Sequence, residues 1–103
     1  MRQFDIVATA AADRPLVPYV VVLQSDLLAD LTTRLAAPFV RPERFRPIAH
    51  LNPVFAFAGG RWMMATQMMA AVPVGELSGE VVASLAQERD AVIRAVDFLL
   101  AGV

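Results

Sequence analysis

Few residues in this chain have the types and spacing that chemistry needs. His50 is the single histidine. A functional reading makes it a general base or a metal ligand. A metal site needs further ligands at fixed spacing, and neither an HxxxH nor an HExxH pattern exists. Between Ala49 and Leu51, His50 reads as a structural, hydrogen-bonded side chain. Met63, Met64, Met68 and Met69 form a thioether cluster of the kind that soft metals accept. With no cysteine in the chain and no histidine near them, they read as packing residues of a core or an interface. Arg41, Arg44 and Arg46 surround Phe45 in a pattern that could hold a phosphate. Pro42, Glu43 and Pro47 interleave with them, so a solvated loop is expected. Asp26 and Asp30 are too far from His50 in sequence to define a catalytic set. No nucleophile elbow, phosphate-cradling glycine loop or zinc signature is present. The residues therefore imply no catalytic group, metal or cofactor, and they lean toward a protein-binding module.

The composition points the same way. The chain has 103 residues, of which 57% are hydrophobic and 18% charged, and its mean hydropathy is +0.54. A chain of this size buries about two thirds of its unfolded surface and can form one core, so residues 1–103 are expected to be one domain. So apolar a composition excludes a disordered chain and suggests surface kept for a partner. The net charge of −1 argues against non-specific nucleic-acid binding, which rests on cations neutralising phosphates. All nine basic residues are arginine, which reads as coding bias. Nothing approaches the roughly 20 apolar residues of a membrane span, and no signal peptide is visible, so a cytoplasmic location is expected.

The positioning elements divide into a strand-rich body and a helical tail. Phe4 to Val7 alternates partially and reads as a strand. Asp13-Arg14-Pro15 has turn chemistry. Tyr19 to Leu23 is β-branched and continuous, the pattern of a strand buried on both faces. Pro38, Pro42, Pro47 and Pro53 then predict irregular connections and short edge strands. Val54 to Ala58, a turn at Gly59-Gly60 and a return strand Arg61 to Thr66 predict a hairpin. Ala70 to Val74 reads as a further short strand closed by Gly75. From there Val81, Val82, Leu85, Val92, Val96, Leu99 and Val103 fall on helical steps, with Arg89 in the one gap. Ser78 suits an N-cap, and Gly102 sits where helices stop. The expected helix therefore runs from Gly79 to about Leu100. The tail from Phe98 to Val103 is apolar where chain ends are usually polar. It is expected to dock in its own core, in a dimer or on a partner.

Taken together, several segments resemble the CcdB toxins of toxin–antitoxin modules. They are Gln3-Phe4, Val22-Leu23-Gln24-Ser25-Asp26-Leu27-Leu28, Pro47-Ile48-Ala49-His50-Leu51, Trp62-Met63-Met64-Ala65-Thr66, Met69-Ala70-Ala71-Val72-Pro73-Val74 and the Gly102-Val103 end. They occur in the family's order over nearly the full length. The resemblance implies an α+β, mostly β fold, a small SH3-like antiparallel barrel with a C-terminal helix. It implies a homodimer with the end of that helix, Leu99 and Val103, near the two-fold axis. It also implies a non-enzymatic toxin that binds the A subunit of DNA gyrase, traps it on cleaved DNA and is released by an antitoxin. Direct nucleic-acid binding is not expected without that antitoxin.

The resemblance carries over residue by residue. The family's Trp-Gly-Ile gyrase contact falls on Ala101, Gly102 and Val103. Its antitoxin-binding positions fall on Leu27, Leu28, Asp97 and Leu100. Ala101 is the main departure, because the family stacks an indole on a gyrase arginine at that point. A contact of this type is worth roughly 0.5–2 kcal/mol. Trp62 corresponds to a different family tryptophan. Two other readings stand beside this one. One is a diverged homologue that dimerises and binds antitoxin without poisoning gyrase. The other is a ribonuclease toxin of the same general fold, for which His50, Asp26 and the arginines would supply the acid, base and phosphate contact.

Overall fold

The computed structural model describes residues 1–9, 17–77 and 79–102. Among them are seven strands and one α-helix: β1 Asp5–Ala8, β2 Tyr19–Val22, β3 Thr33–Val40, β4 Val54–Phe57, β5 Gly60–Met64, β6 Ala70–Pro73, β7 Val81–Ser84 and α1 Arg89–Ala101. Every pairing is antiparallel. The strands follow the order β4-β5-β3-β2-β1-β7, with β6 beside β3. The result is a nearly closed barrel with a C-terminal helix, an α+β, mostly β fold.

The continuous apolar run at β2 has the two buried faces that its sequence predicts. Val21 and Leu23 join the main core with Ile6, Phe39, Trp62 and Met64, while Val20 and Val22 join Val7, Ala36 and Leu77 on the other side. The helix adds Val92 and Ala95 to the main core, both fully buried. Aromatic rings fill the centre edge to face. Tyr19 lies 5.3 Å from Phe57 and 5.1 Å from Trp62, and Phe39 lies 4.8 Å from Phe57.

The proline-rich middle differs from its expected content. Pro38 lies inside β3, which is eight residues long and central, with partners on both edges. Along one edge β3 pairs with β2. The other edge is shared, with β6 taking Thr33 to Ala36 and β5 taking Phe39 and Val40. Pro38 falls in the gap between those two ladders, where a missing amide donor breaks no ladder bond. Its carbonyl still accepts from the Ala65 amide at 2.9 Å.

The helix is also shorter than its stripe suggests. Val81 to Ser84 is not helical but forms β7, paired to β1 with Val7 opposite Val81 and Asp5 opposite Ser84. The register shifts between Ile6 and Val7, so Val82 and Ala83 both pack against the core. Short apolar runs fit either period, and the open edge of β1 decides for a strand. A 3-10 turn at Ala86–Glu88 then leads into α1, whose N-cap position is Glu88. The expected cap at Ser78 and the turn at Asp13-Arg14-Pro15 lie outside the described residues.

The β4–β5 hairpin is present, but its turn lies one residue earlier than expected. Phe57 pairs with Gly60, so the loop residues are Ala58 and Gly59, at φ 49° and 74°. Two positive φ values match the right-handed twist of a hairpin, and Ala58 bears the steric cost of a Cβ there. Ala58 is exposed. Ala58→Asn is therefore expected to stabilise the fold by about 0.5–1 kcal/mol, read as a raised midpoint in urea unfolding. An unchanged or lowered midpoint would contradict this turn assignment.

Candidate functional site

The segment after β2 holds its shape through side chains that replace backbone partners. β2 and β3 separate after the Leu23 amide bonds the Leu35 carbonyl at 2.8 Å. Beyond that point the Gln24 amide spans the gap. Its Oε1 accepts from the Leu35 amide at 3.1 Å, and its Nε2 donates to the carbonyls of Leu28 and Thr33 at 3.1 and 3.2 Å. Ser25 Oγ accepts from the Leu27 amide at 3.1 Å and caps the 3-10 turn Asp26–Leu28. Asp26 Oδ1 accepts from the Gln3 amide at 2.8 Å, and Gln3 Nε2 donates to the Leu23 carbonyl at 3.0 Å. Arg34 closes the far side, donating to the carbonyls of Ala29 and Leu31 at 2.7 and 2.6 Å.

Each residue of Gln24-Ser25-Asp26 thus bonds backbone, and together they present two leucines to solvent. Leu27 is 94% exposed and Leu28 51%. Leu31 is also exposed and extends the apolar patch of this loop. Sequence reasoning missed Leu31 and the role of Arg34. Their signal was an arginine three residues after a leucine in a stretch rich in unpaired carbonyls.

The second candidate surface is the end of α1. Gly102 takes the left-handed conformation at φ 75°, and its amide donates to the Phe98 carbonyl at 2.8 Å. This is the helix-ending geometry that favours glycine. Leu100 is 72% exposed. Asp97 and Ala101 are exposed, and Leu99 is half-buried. Val103 lies outside the described residues, so its proposed parts in gyrase contact and in the dimer have no structural description. The antitoxin candidates occupy two elements: Leu27 and Leu28 on the turn after β2, Asp97 and Leu100 on the last turns of α1.

His50 does not fill the structural role expected of it. It is exposed, at φ 70°, with its ring 6.0 Å from that of Phe98. The buried polar residue of that segment is Asn52, which donates to the Met64 carbonyl at 3.0 Å and to Gln67 Oε1 at 2.8 Å, and accepts from the Ile48 amide. Asp26 is engaged with Gln3 and with Arg2, at 3.8 Å, so His50 and Asp26 have separate surroundings. Met63 and Met64 are core residues, whereas Met68 is exposed. Among the described residues no three potential ligands cluster around a metal position, and no helix is long and apolar enough to cross a membrane.

The structure is a nearly closed small barrel with one C-terminal helix, exposed leucines on a braced turn and an exposed end of α1. A family model described as "CcdB protein" matches residues 3–102, and the chain belongs to that family. Membership makes it a toxin of a toxin–antitoxin module. No curated protein matches the chain.

The bracing by Gln24 has a measurable consequence. Gln24→Leu preserves size and removes three hydrogen bonds to backbone. Unfolding stability should fall by about 1–3 kcal/mol, with faster hydrogen exchange at the Leu35 amide. Unchanged exchange there would contradict the bracing.

Proposed function

We propose that this toxin binds the A subunit of DNA gyrase through Ala101, Gly102 and Val103 and inhibits it by trapping cleaved DNA. A cognate antitoxin segment neutralises it by docking on Leu27, Leu28, Asp97 and Leu100. The working form is a cytoplasmic homodimer joined near Leu99 and Val103. The observation that carries this reading is the family match over residues 3–102. It is supported by the exposed Ala101 beside a Gly102 cap and by leucines held in solvent on a braced turn. An amphipathic peptide needs apolar anchors of this type, and Asp97 adds a charge that selects among such peptides.

One observation favours a second reading. Ala101 offers a methyl group where the family presents an indole, and truncating an aromatic anchor can remove much of an interface's affinity. A homologue so altered would retain dimerisation and antitoxin binding while losing gyrase.

Supercoiling by purified gyrase decides between these readings, with linear DNA scored as trapped cleavage complex and the dimer checked by sedimentation. The wild type is expected to inhibit weakly, and Ala101→Trp to strengthen inhibition roughly five- to thirtyfold, the equivalent of restoring about 1–2 kcal/mol of cation–π contact. Potent poisoning by the wild type would show the aromatic to be dispensable. No gain from Ala101→Trp in a folded dimer would move the reading to a toxin with another target or with antitoxin binding alone.

A further inference from the structure

The start of the chain folds back on itself beside the leucine turn. The Asp5 amide donates to the Arg2 carbonyl at 3.0 Å and closes a tight turn. Phe4, its third residue, stands at φ 71°, where glycine is usual and a bulky side chain is rare. The core holds the Phe4 side chain at 5% exposure, so packing fixes this conformation. The turn borders a cavity of about 310 Å³, lined by Arg2, Gln3, Phe4, Asp5, Asp26 and Ser84. Ligand cavities run from about 300 to 1,000 Å³, so this one has room for a single side chain rather than a cofactor.

Two carboxylates line the cavity, and each commits one oxygen to backbone. Asp5 Oδ2 accepts from the Arg2 amide at 2.8 Å, and Asp26 Oδ1 accepts from the Gln3 amide at 2.8 Å. Asp5 Oδ1 and Asp26 Oδ2 accept no hydrogen bond among the described residues. The Arg2 guanidinium stands near, with Nε 3.8 Å from Asp26 Oδ2, which is beyond hydrogen-bond reach. With 85% of its side chain exposed, Arg2 holds that position weakly, as surface ion pairs do. Backbone amides thus anchor the carboxylates, while the cation that answers them is loose.

We propose that the cavity takes one basic side chain of the antitoxin segment, selected by Asp5 and Asp26, and that this side chain displaces Arg2 toward solvent. The proposal rests on the reading above that such a segment covers Leu27 and Leu28. Asp26 opens the 3-10 turn that carries both leucines, so the apolar face adjoins the cavity. Asp30 is exposed on the same loop and adds negative charge beside the leucines. The partner that fits is an apolar stretch of peptide next to a lysine or arginine. Its ammonium or guanidinium donates to the two spare oxygens in charge-assisted bonds, and these strengthen as the bound peptide excludes water. An acidic side chain would meet two carboxylates instead.

Acetyl-arginine amide is titrated into the intact protein and followed by the NMR amide signals of Gln3, Asp5, Asp26 and Ser84. Acetyl-citrulline amide, similar in shape but uncharged, and acetyl-glutamate amide are titrated in parallel. The arginine probe is expected to shift these signals saturably, and the other two are not. Asp5→Asn and Asp26→Asn each keep an oxygen for the backbone amide, so both should retain the folded circular dichroism spectrum. Each should weaken the arginine probe roughly tenfold, whereas Arg2→Gln removes the competing cation and should strengthen it. In calorimetry with the cognate antitoxin, Asp5→Asn should lower affinity about tenfold as well. The proposal is overturned by an absent response to the arginine probe, an equal response to citrulline or glutamate, or an undiminished response in either aspartate variant. Weaker binding in Arg2→Gln, or antitoxin affinity unchanged by Asp5→Asn, would overturn it too. Failure of the leucine reading shows separately, as antitoxin affinity unchanged in Leu27→Asp, Leu28→Asp.

Discussion

The exposed leucine face depends on one amide side chain. Where β2 and β3 part, Gln24 takes up the Leu35 amide and the Thr33 and Leu28 carbonyls, so a side chain continues the ladder that the backbone leaves. Without it, the chain from Ser25 to Thr32 would have to satisfy those groups with water and would gain conformational freedom. With it, Leu27 is held 94% exposed on a short turn. An apolar side chain fixed in solvent gains nothing from the fold itself. It becomes favourable only when a partner covers it, and a pre-ordered turn lowers the entropy cost of that step.

The barrel supplies the frame for this arrangement through the shared edge of β3. Because β6 and β5 pair with successive halves of the same edge, the sheet turns around β3 and brings its two ends toward each other. The interruption between them accommodates Pro38 and places the 3-10 turn Thr66–Met68 against α1. The helix seals the core with Val92 and Ala95, while Leu100 and Ala101 beyond them remain in solvent. One element thus closes the fold with its middle and leaves its end in solvent.

Much of this was legible in the residues. Continuous Val20-Val21-Val22 fixed a doubly buried strand, two apolar runs around a glycine pair fixed the hairpin, and the ordered segments from Gln3 to Val103 fixed the family. The misreadings share one physical cause, which is that tertiary pairing decides among local options. Val81 and Val82 fit a helical step as well as a strand, and only the open edge of β1 chooses. Pro38 predicts a break unless the ladder partners themselves leave a gap. His50 looked structural because a neighbouring leucine suggested burial, whereas Asn52 carries the buried hydrogen bonds. The braces Gln24 and Arg34 act on backbone groups several residues away in a loop, a relation that periodicity does not encode.

The central claim is that the Leu27-Leu28 turn is a preformed docking face for an antitoxin segment. Its most direct test is calorimetric titration of the cognate antitoxin into the wild type and into the double variant Leu27→Asp, Leu28→Asp. Both leucines are exposed, so the variant is expected to keep the wild-type circular dichroism spectrum. Binding should be lost, because two unpaired carboxylates would have to enter an apolar contact. Unchanged affinity in the folded double variant would contradict the account.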